Sequence, residues 1–168
     1  MTLSAPEPLA DHHNLTGFQS GVASLDSWLL RRARSNQVTG ATRTFVVSDG
    51  TRVVAYYALA AGGITAANAP GRFRRNMPDP IPIVLLARIA IDASLQGQGI
   101  GRALIGDCAY RVAHAADTLG IRGIVTHAIS EPAKAFYLAV GFEPSPGDPM
   151  TLLVTLADIR PLLGASRG

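Results

Sequence analysis

One stretch constrains this chain more than any other. The run IVLLARIAID (83–92) is almost unbroken in its apolar character, and glycines follow at alternating positions, Gly97, Gly99 and Gly101. Beyond them Ile100, Leu104, Cys108, Val112, Ala115 and Leu119 recur at every third or fourth position, up to Gly120. An apolar run of strand length without polar alternation is expected of a strand covered on both faces. The three-to-four recurrence is one stripe of a long helix that Gly120 ends. A buried strand turning through glycines into an amphipathic helix is a unit of α/β architecture, and the glycine turn inside it is an anion site in waiting. Glycines let several backbone N–H groups converge, and the helix N-terminus adds partial positive charge.

The flanking segments extend the pattern. SGVASLDSWLLRRARS (20–35) reads as one helix, with Ser24 as N-cap and Leu25, Trp28, Leu29 and Ala33 on one face. TRTFVVSDGTRVVAYYALAAGGI (42–64) reads as a hairpin turning at Asp49-Gly50. A Pro- and Arg-rich loop, ANAPGRFRRNMPDPIP (67–82), leads into the buried strand. After the long helix come a short strand in GIVTHAI, a helix capped by Ser130 with Ala133, Phe136, Tyr137 and Val140 on its apolar face and Gly141 as its stop, and a last strand in MTLLVTL. A hairpin followed by strand–helix–strand–helix–strand predicts an α/β (α+β) fold, a central mixed twisted sheet flanked by helices, in a single domain over residues 1–168.

Composition narrows the classes. With 48% apolar and 16% charged residues the chain has the means to bury a core. Cys108 is the one cysteine, which excludes an internal disulfide and a cysteine-based zinc cluster, and no metal is expected. MTLSAPEPLA lacks a basic stretch followed by an apolar one, and the most apolar run is short and carries Arg88. A cytoplasmic protein without membrane contact is therefore expected. The net charge of +3 is unevenly spread. Between Ser27 and Pro78, Arg31, Arg32, Arg34, Arg43, Arg52, Arg72, Arg74 and Arg75 face Asp49 alone, which points to an anionic partner.

Which phosphate loop the glycines form is decided by their neighbours. A P-loop requires Lys-Ser/Thr after the last glycine, where this chain has Arg102-Ala103. The dinucleotide fingerprint requires glycine where Arg102 stands. Gln96-Gly97-Gln98-Gly99-Ile100-Gly101 instead matches Q/R-x-x-G-x-G/A. With the preceding RIAID and the closing AKAFYLAVGF, the chain from Phe45 to Leu156 resembles the GNAT acetyltransferases. That resemblance implies the GNAT acyl-CoA acyltransferase fold and acetyl-CoA as co-substrate. It also implies that the backbone of Ile89, Ala90 and Ile91 pairs with the pantetheine arm. The loop of Gln96, Gly97, Gln98, Gly99, Ile100, Gly101, Arg102 and Ala103 would then hold the pyrophosphate through N–H groups from Gln98 to Ala103. Two readings of the Arg102 side chain stand, a phosphate contact and a solvated cation.

Acetyl transfer to an amine needs a neutral nucleophile and an acid for the departing thiolate. The resemblance implies that Tyr137 is that acid; its place among Ala133, Phe136 and Val140 equally suits a core tyrosine. No base is evident. LLARIAID offers Arg88, which stays protonated, and Asp92 at its end. His127, alone in an apolar strand, has two readings, a core or rim histidine, which the pattern favours, and a catalytic one; His12 and His13 receive no role. A chain without an evident base suits an α-amine, whose pKa near 8 lies well below the ~10.4 of a lysine side chain.

FQSGVASLDSWLLRRA, PGRFRRNMPDPIPIVLLARIAID, GIRGIVTHAISEPAKAFYLAVGFEPSP and DPMTLLVTL are similar to the acetyltransferase toxins of bacterial type II toxin–antitoxin systems. This implies acetylation of the α-amine of aminoacyl-tRNA, a block of translation, an antitoxin with a ribbon-helix-helix DNA-binding part, and a homodimer. Arg31, Arg32, Arg34, Arg72, Arg74 and Arg75 are the candidate RNA-phosphate contacts. The alternative is a non-toxic GNAT enzyme acting on a small-molecule amine or a protein N-terminus.

Overall fold

The computed structural model describes residues 2–159. In chain order the elements are β1 (Glu7–Pro8), α1 (Ala23–Arg31), α2 (Ala33–Thr39), β2 (Arg43–Asp49), β3 (Arg52–Ile64), α3 (Gly71–Arg74), β4 (Ile81–Ile91), α4 (Ile100–Ala115), β5 (Gly123–His127), α5 (Glu131–Ala139), β6 (Glu143–Pro144), β7 (Thr151–Thr155) and α6 (Leu156–Ile159). The strands form a mixed seven-stranded sheet in the order β1-β2-β3-β4-β5-β7-β6, with β4 and β5 parallel. Backbone contacts gather into two compact units. The first comprises the described residues up to Ala60 with Ala87–Leu104, the second Ala61–Leu86 with the described residues from Ile105.

In the first unit the β2–β3 hairpin turns through Gly50 and Thr51, one residue past the expected Asp49-Gly50, because Asp49 stays in β2 and pairs with Arg52; β1 pairs with β2 antiparallel. Its core joins Leu9, Leu15, Phe18, Leu25, Leu29, Ala33, Val46, Val53, Tyr56 and Ala90. The single helix expected over 20–35 is two, because Arg32 departs from helical geometry at φ −122° between them. Ser24 is not the cap. Val22 occupies that position without a side-chain bond, and the Asp26 carboxylate ties down the approach by accepting Ser20 N–H at 3.0 Å and Ser20 Oγ–H at 2.6 Å.

In the second unit, β5 pairs with β7 antiparallel, and Phe73 packs with Ala69, Ile81, Ile83, Val125 and Leu153. The segment expected as a loop thus contains a helical turn, α3, because its one aromatic residue is drawn fully into this core. The stripe of α4 holds at Cys108 and Val112 but not at Leu119, which is 64% exposed beyond the helix end at Ala115. Ser130 caps α5 by accepting Ala133 N–H at 3.2 Å, and Gly141 follows at φ +110°. Among the described residues no helix is long and apolar enough to cross a membrane.

Candidate active site

The glycine turn lies in the first unit. Gly97 and Gly99 adopt φ of +82° and +83°, a region that side chains disfavour, and a Cβ at either would meet nothing within 4 Å. Conformation requires these two glycines, and the volume over them is open. Gly101, expected in the loop, is inside the first turn of α4. Ala103 N–H is the first to close the helical ladder, on Gly99 O at 3.2 Å, so the N–H groups of Ile100, Gly101 and Arg102 precede it. That arrangement fits a pyrophosphate: donors at a helix start, no side chain over the glycines, and the exposed Arg102 beside them.

Two side chains hold the turn from beneath. Gln96 Nε2 donates to Ser20 O at 2.7 Å and Ile91 O at 2.9 Å, so both of its amide hydrogens are spent on anchoring the loop. Asp92 is buried and accepts Gln19 N–H at 3.0 Å, Ser94 N–H at 3.1 Å and Ser94 Oγ–H at 2.8 Å, with Arg52 Nη2 at 3.4 Å. Burial pushes the Asp92 pKa up, but these hydrogen bonds and the Arg52 charge outweigh it, and the net shift is downward. An aspartate held ionised with its lone pairs occupied is a strut, not a base. Its role as anchor was not read from the sequence, although Asp-x-Ser before a glycine turn is a recognisable capping signal. Arg88 sits above the Trp28 ring, 4.9 Å from its centroid, and Trp28 stacks on Tyr56 at 5.9 Å.

Tyr137 lies in the second unit on the buried face of α5, 4% exposed, with Phe136 and Phe142 rings at 5.5 and 5.4 Å. Burial raises its phenol pKa, the Thr126 hydroxyl opposes that, and the Cys108 thiol adds to it. The proton therefore stays on the oxygen well above neutral pH, as a general acid requires.

The arginines divide. Arg31, Arg32, Arg74 and Arg75 are exposed. Arg34 is occupied: its Nη2 donates to Ala10 O at 3.2 Å and His13 O at 2.5 Å, holding the N-terminal segment to α2. Arg72 is paired with Asp158 at 2.6 Å while remaining two-thirds exposed. Sequence reasoning missed Arg122, which donates from Nε to Phe73 O and from Nη2 to Arg72 O, both at 2.8 Å, and so fixes the arginine-bearing turn.

Glu7, His12 and His13 hold ligand-type atoms within 4.8 Å of one another. His13 Nδ1 accepts Ala10 N–H at 2.9 Å, which puts the ring proton on Nε2, and Nε2 donates it to Glu7 Oε1 at 2.8 Å. A metal on Nε2 would force a proton onto Nδ1, against the Ala10 N–H. The cluster is built as a clasp.

Comparison with known proteins identifies the family. The acetyltransferase (GNAT) domain family matches residues 40–144. A tRNA-acetylating toxin of Mycobacterium tuberculosis is 47% identical over 161 residues, 96% of this chain and 97% of that protein. The structure of AtaT complexed with acetyl-methionyl-tRNAfMet superposes with a TM-score of 0.88 at 29% identity, over 96% of this chain and 99% of that one. A tyrosine-to-phenylalanine mutant of the AtaT toxin, bound to the C-terminus of the antitoxin AtaR and to acetyl-CoA, superposes with a TM-score of 0.80 at 28% identity, covering 98% and 99%.

Proposed function

Because this chain belongs to the GNAT acetyltransferase family, we propose that it moves the acetyl group of acetyl-CoA onto the α-amine of aminoacyl-tRNA, blocking translation as the toxin of a toxin–antitoxin pair. The observation that carries this reading is the 47% identity to a tRNA-acetylating toxin along 96% of the chain. The open glycine turn and the exposed arginines support it.

The backbone of Ile89, Ala90 and Ile91, on β4 past the pairing of Leu86 with Thr126, aligns the pantetheine arm. The N–H groups from Gln98 to Ala103 take the pyrophosphate, with Gln96 holding the turn in shape. Tyr137, its phenol protonated at neutral pH, gives its proton to the sulfur as the thioester breaks. Arg31, Arg32, Arg74 and Arg75 contact RNA phosphates, and Arg72 joins them on leaving Asp158. The antitoxin has a ribbon-helix-helix DNA-binding part, the toxin works as a homodimer, and charged tRNA is met in the cytoplasm.

Purified protein with charged tRNAs and labelled acetyl-CoA tests the assignment. The label should appear on the α-nitrogen of the esterified amino acid and leave the tRNA on mild alkaline hydrolysis. Label on a free amine or a protein N-terminus, with none on tRNA, would refute it.

A further inference from the structure

His127 is the last residue of β5, and its ring is exposed. Its Nδ1 lies 2.9 Å from Thr151 Oγ1. Thr151 spends its hydroxyl proton on Asp148 Oδ2 at 2.9 Å, and Asp148 Oδ1 accepts Met150 N–H at 3.0 Å. A hydroxyl has one proton to give, so Thr151 receives from the imidazole and the His127 hydrogen is on Nδ1. Nε2 keeps its lone pair and has no partner among the described residues. A histidine oriented through a hydroxyl by a carboxylate follows the logic of a catalytic triad, with base, orienter and anion in line. The Met150 N–H and the Thr151 hydroxyl hold the Asp148 carboxyl below the usual range, with the Lys134 charge adding to them, so the far end of the line is an anion. Asp148, through Thr151, and Lys134 of α5, acting on Asp148, are charged groups that bear on this line.

Position adds to this. Val125 pairs with Leu153 and His127 with Thr151, and Val125 and Leu153 pack on Phe73. Side chains alternate along a strand, so His127 and Thr151 share the sheet face that carries Phe73, between Arg72 and Arg74. Thr126 stands on the other face, where its hydroxyl acts on Tyr137. The end of β5 thus has an acid on one side and an imidazole on the other, the latter on the face of the arginine-bearing turn. Acyl transfer needs both groups, because the nucleophile loses a proton and the leaving group gains one.

We propose that His127 is the base of the reaction. This deepens, and rests on, the function proposed above. Nε2 takes one proton from the substrate α-ammonium, and the neutral nitrogen attacks the thioester carbonyl. The C–N bond forms, the C–S bond breaks, and Tyr137 protonates the sulfur. The proton remaining in excess on the new amide nitrogen returns, through water, to the Tyr137 oxygen. His127 releases its proton to solvent, so ammonium and thioester yield amide, thiol and one proton. Thr151 is a positioning residue that fixes the tautomer.

The test is the pH dependence of acetyl transfer to tRNA charged through an amide linkage, which survives alkali. His127→Asn keeps a side-chain N–H for Thr151 but has no base. It should lower kcat/KM about 10²-fold near pH 6, where nearly every α-amine is protonated, and less than about threefold near pH 9, where the substrate is already neutral. Thr151→Val should show the same convergence with a smaller loss. Both variants should keep the wild-type rise in melting temperature with acetyl-CoA. A loss equal at both pH values, or none near pH 6, overturns the assignment. Wild type that transfers nothing to charged tRNA near pH 9 defeats the substrate reading and this proposal with it; wild-type transfer with a pH-independent defect in His127→Asn defeats His127 alone.

Discussion

Replacing Gly99 by valine separates what the glycine turn does for the fold from what it does for acetyl-CoA. Gly99 holds φ +83° in open space, so without cofactor a side chain there costs backbone strain and no collision. That strain is about 1–2 kcal/mol for an L-residue, toward the upper end when β-branched. For a chain of this size each kcal/mol moves the melting temperature by about 2–4 °C, so Gly99→Val should melt about 2–8 °C below wild type. With acetyl-CoA at a hundred times its Kd, wild type should gain about 2.7 kcal/mol, a rise of about 5–11 °C. The valine methyl groups add bulk to the turn proposed to take the pyrophosphate. A hundredfold loss of affinity leaves about 0.4 kcal/mol at the same concentration, a rise near 1 °C. Gly101→Val, in the first turn of α4, should also abolish the rise. Thermal unfolding followed with and without acetyl-CoA measures both quantities. If both variants keep the full ligand-induced rise, the pyrophosphate does not sit on this turn.

Three further outcomes follow from the same geometry. Tyr137→Phe keeps the ring contacts with Phe136 and Phe142, so melting temperature and acetyl-CoA affinity should hold. Steady-state acetylation should then show kcat down by ~10²–10⁴-fold, while retention of a third or more would remove the phenol from the mechanism. Arg74→Ala with Arg75→Ala should weaken tRNA binding and flatten its salt dependence by roughly 0.7–0.9 log unit per lost phosphate contact, measured by titration over a salt series. Arg72→Ala should add less, because its guanidinium already faces Asp158. Asp92→Asn should lower stability at neutral pH. The folded-state pKa of Asp92 lies below the unfolded value near 3.9, so its stabilisation is present above that pH and lost as pH falls through the folded value. Denaturant unfolding of wild type and variant should therefore converge in acid, and a constant difference at every pH would contradict the account.

Local signals were enough for much of this protein. The β2–β3 hairpin announces itself through Asp49-Gly50 between β-branched runs, β4 through its unbroken apolar character, and α5 through Ser130 and Gly141 at its ends. The glycine turn is legible because its positive φ angles are a backbone requirement that few residues meet. Other features depend on partners far away in the chain. Arg34 and Arg72 look alike as letters, yet one is bound to the carbonyls of Ala10 and His13 and the other to Asp158, 86 positions on. Arg32 breaks a pattern that read as one helix, and Phe73 turns an apparent loop into a helical turn because a core lies within reach. His127 shows the limit most clearly. In sequence it is a lone histidine in an apolar strand; the antiparallel register of β5 and β7 brings Thr151 to its Nδ1 and Asp148 to Thr151. Periodicity and capping act over a few residues and can be read in order. Which proton a ring carries, and which charge is already paired, is set by neighbours that only the folded chain brings within 3 Å of one another.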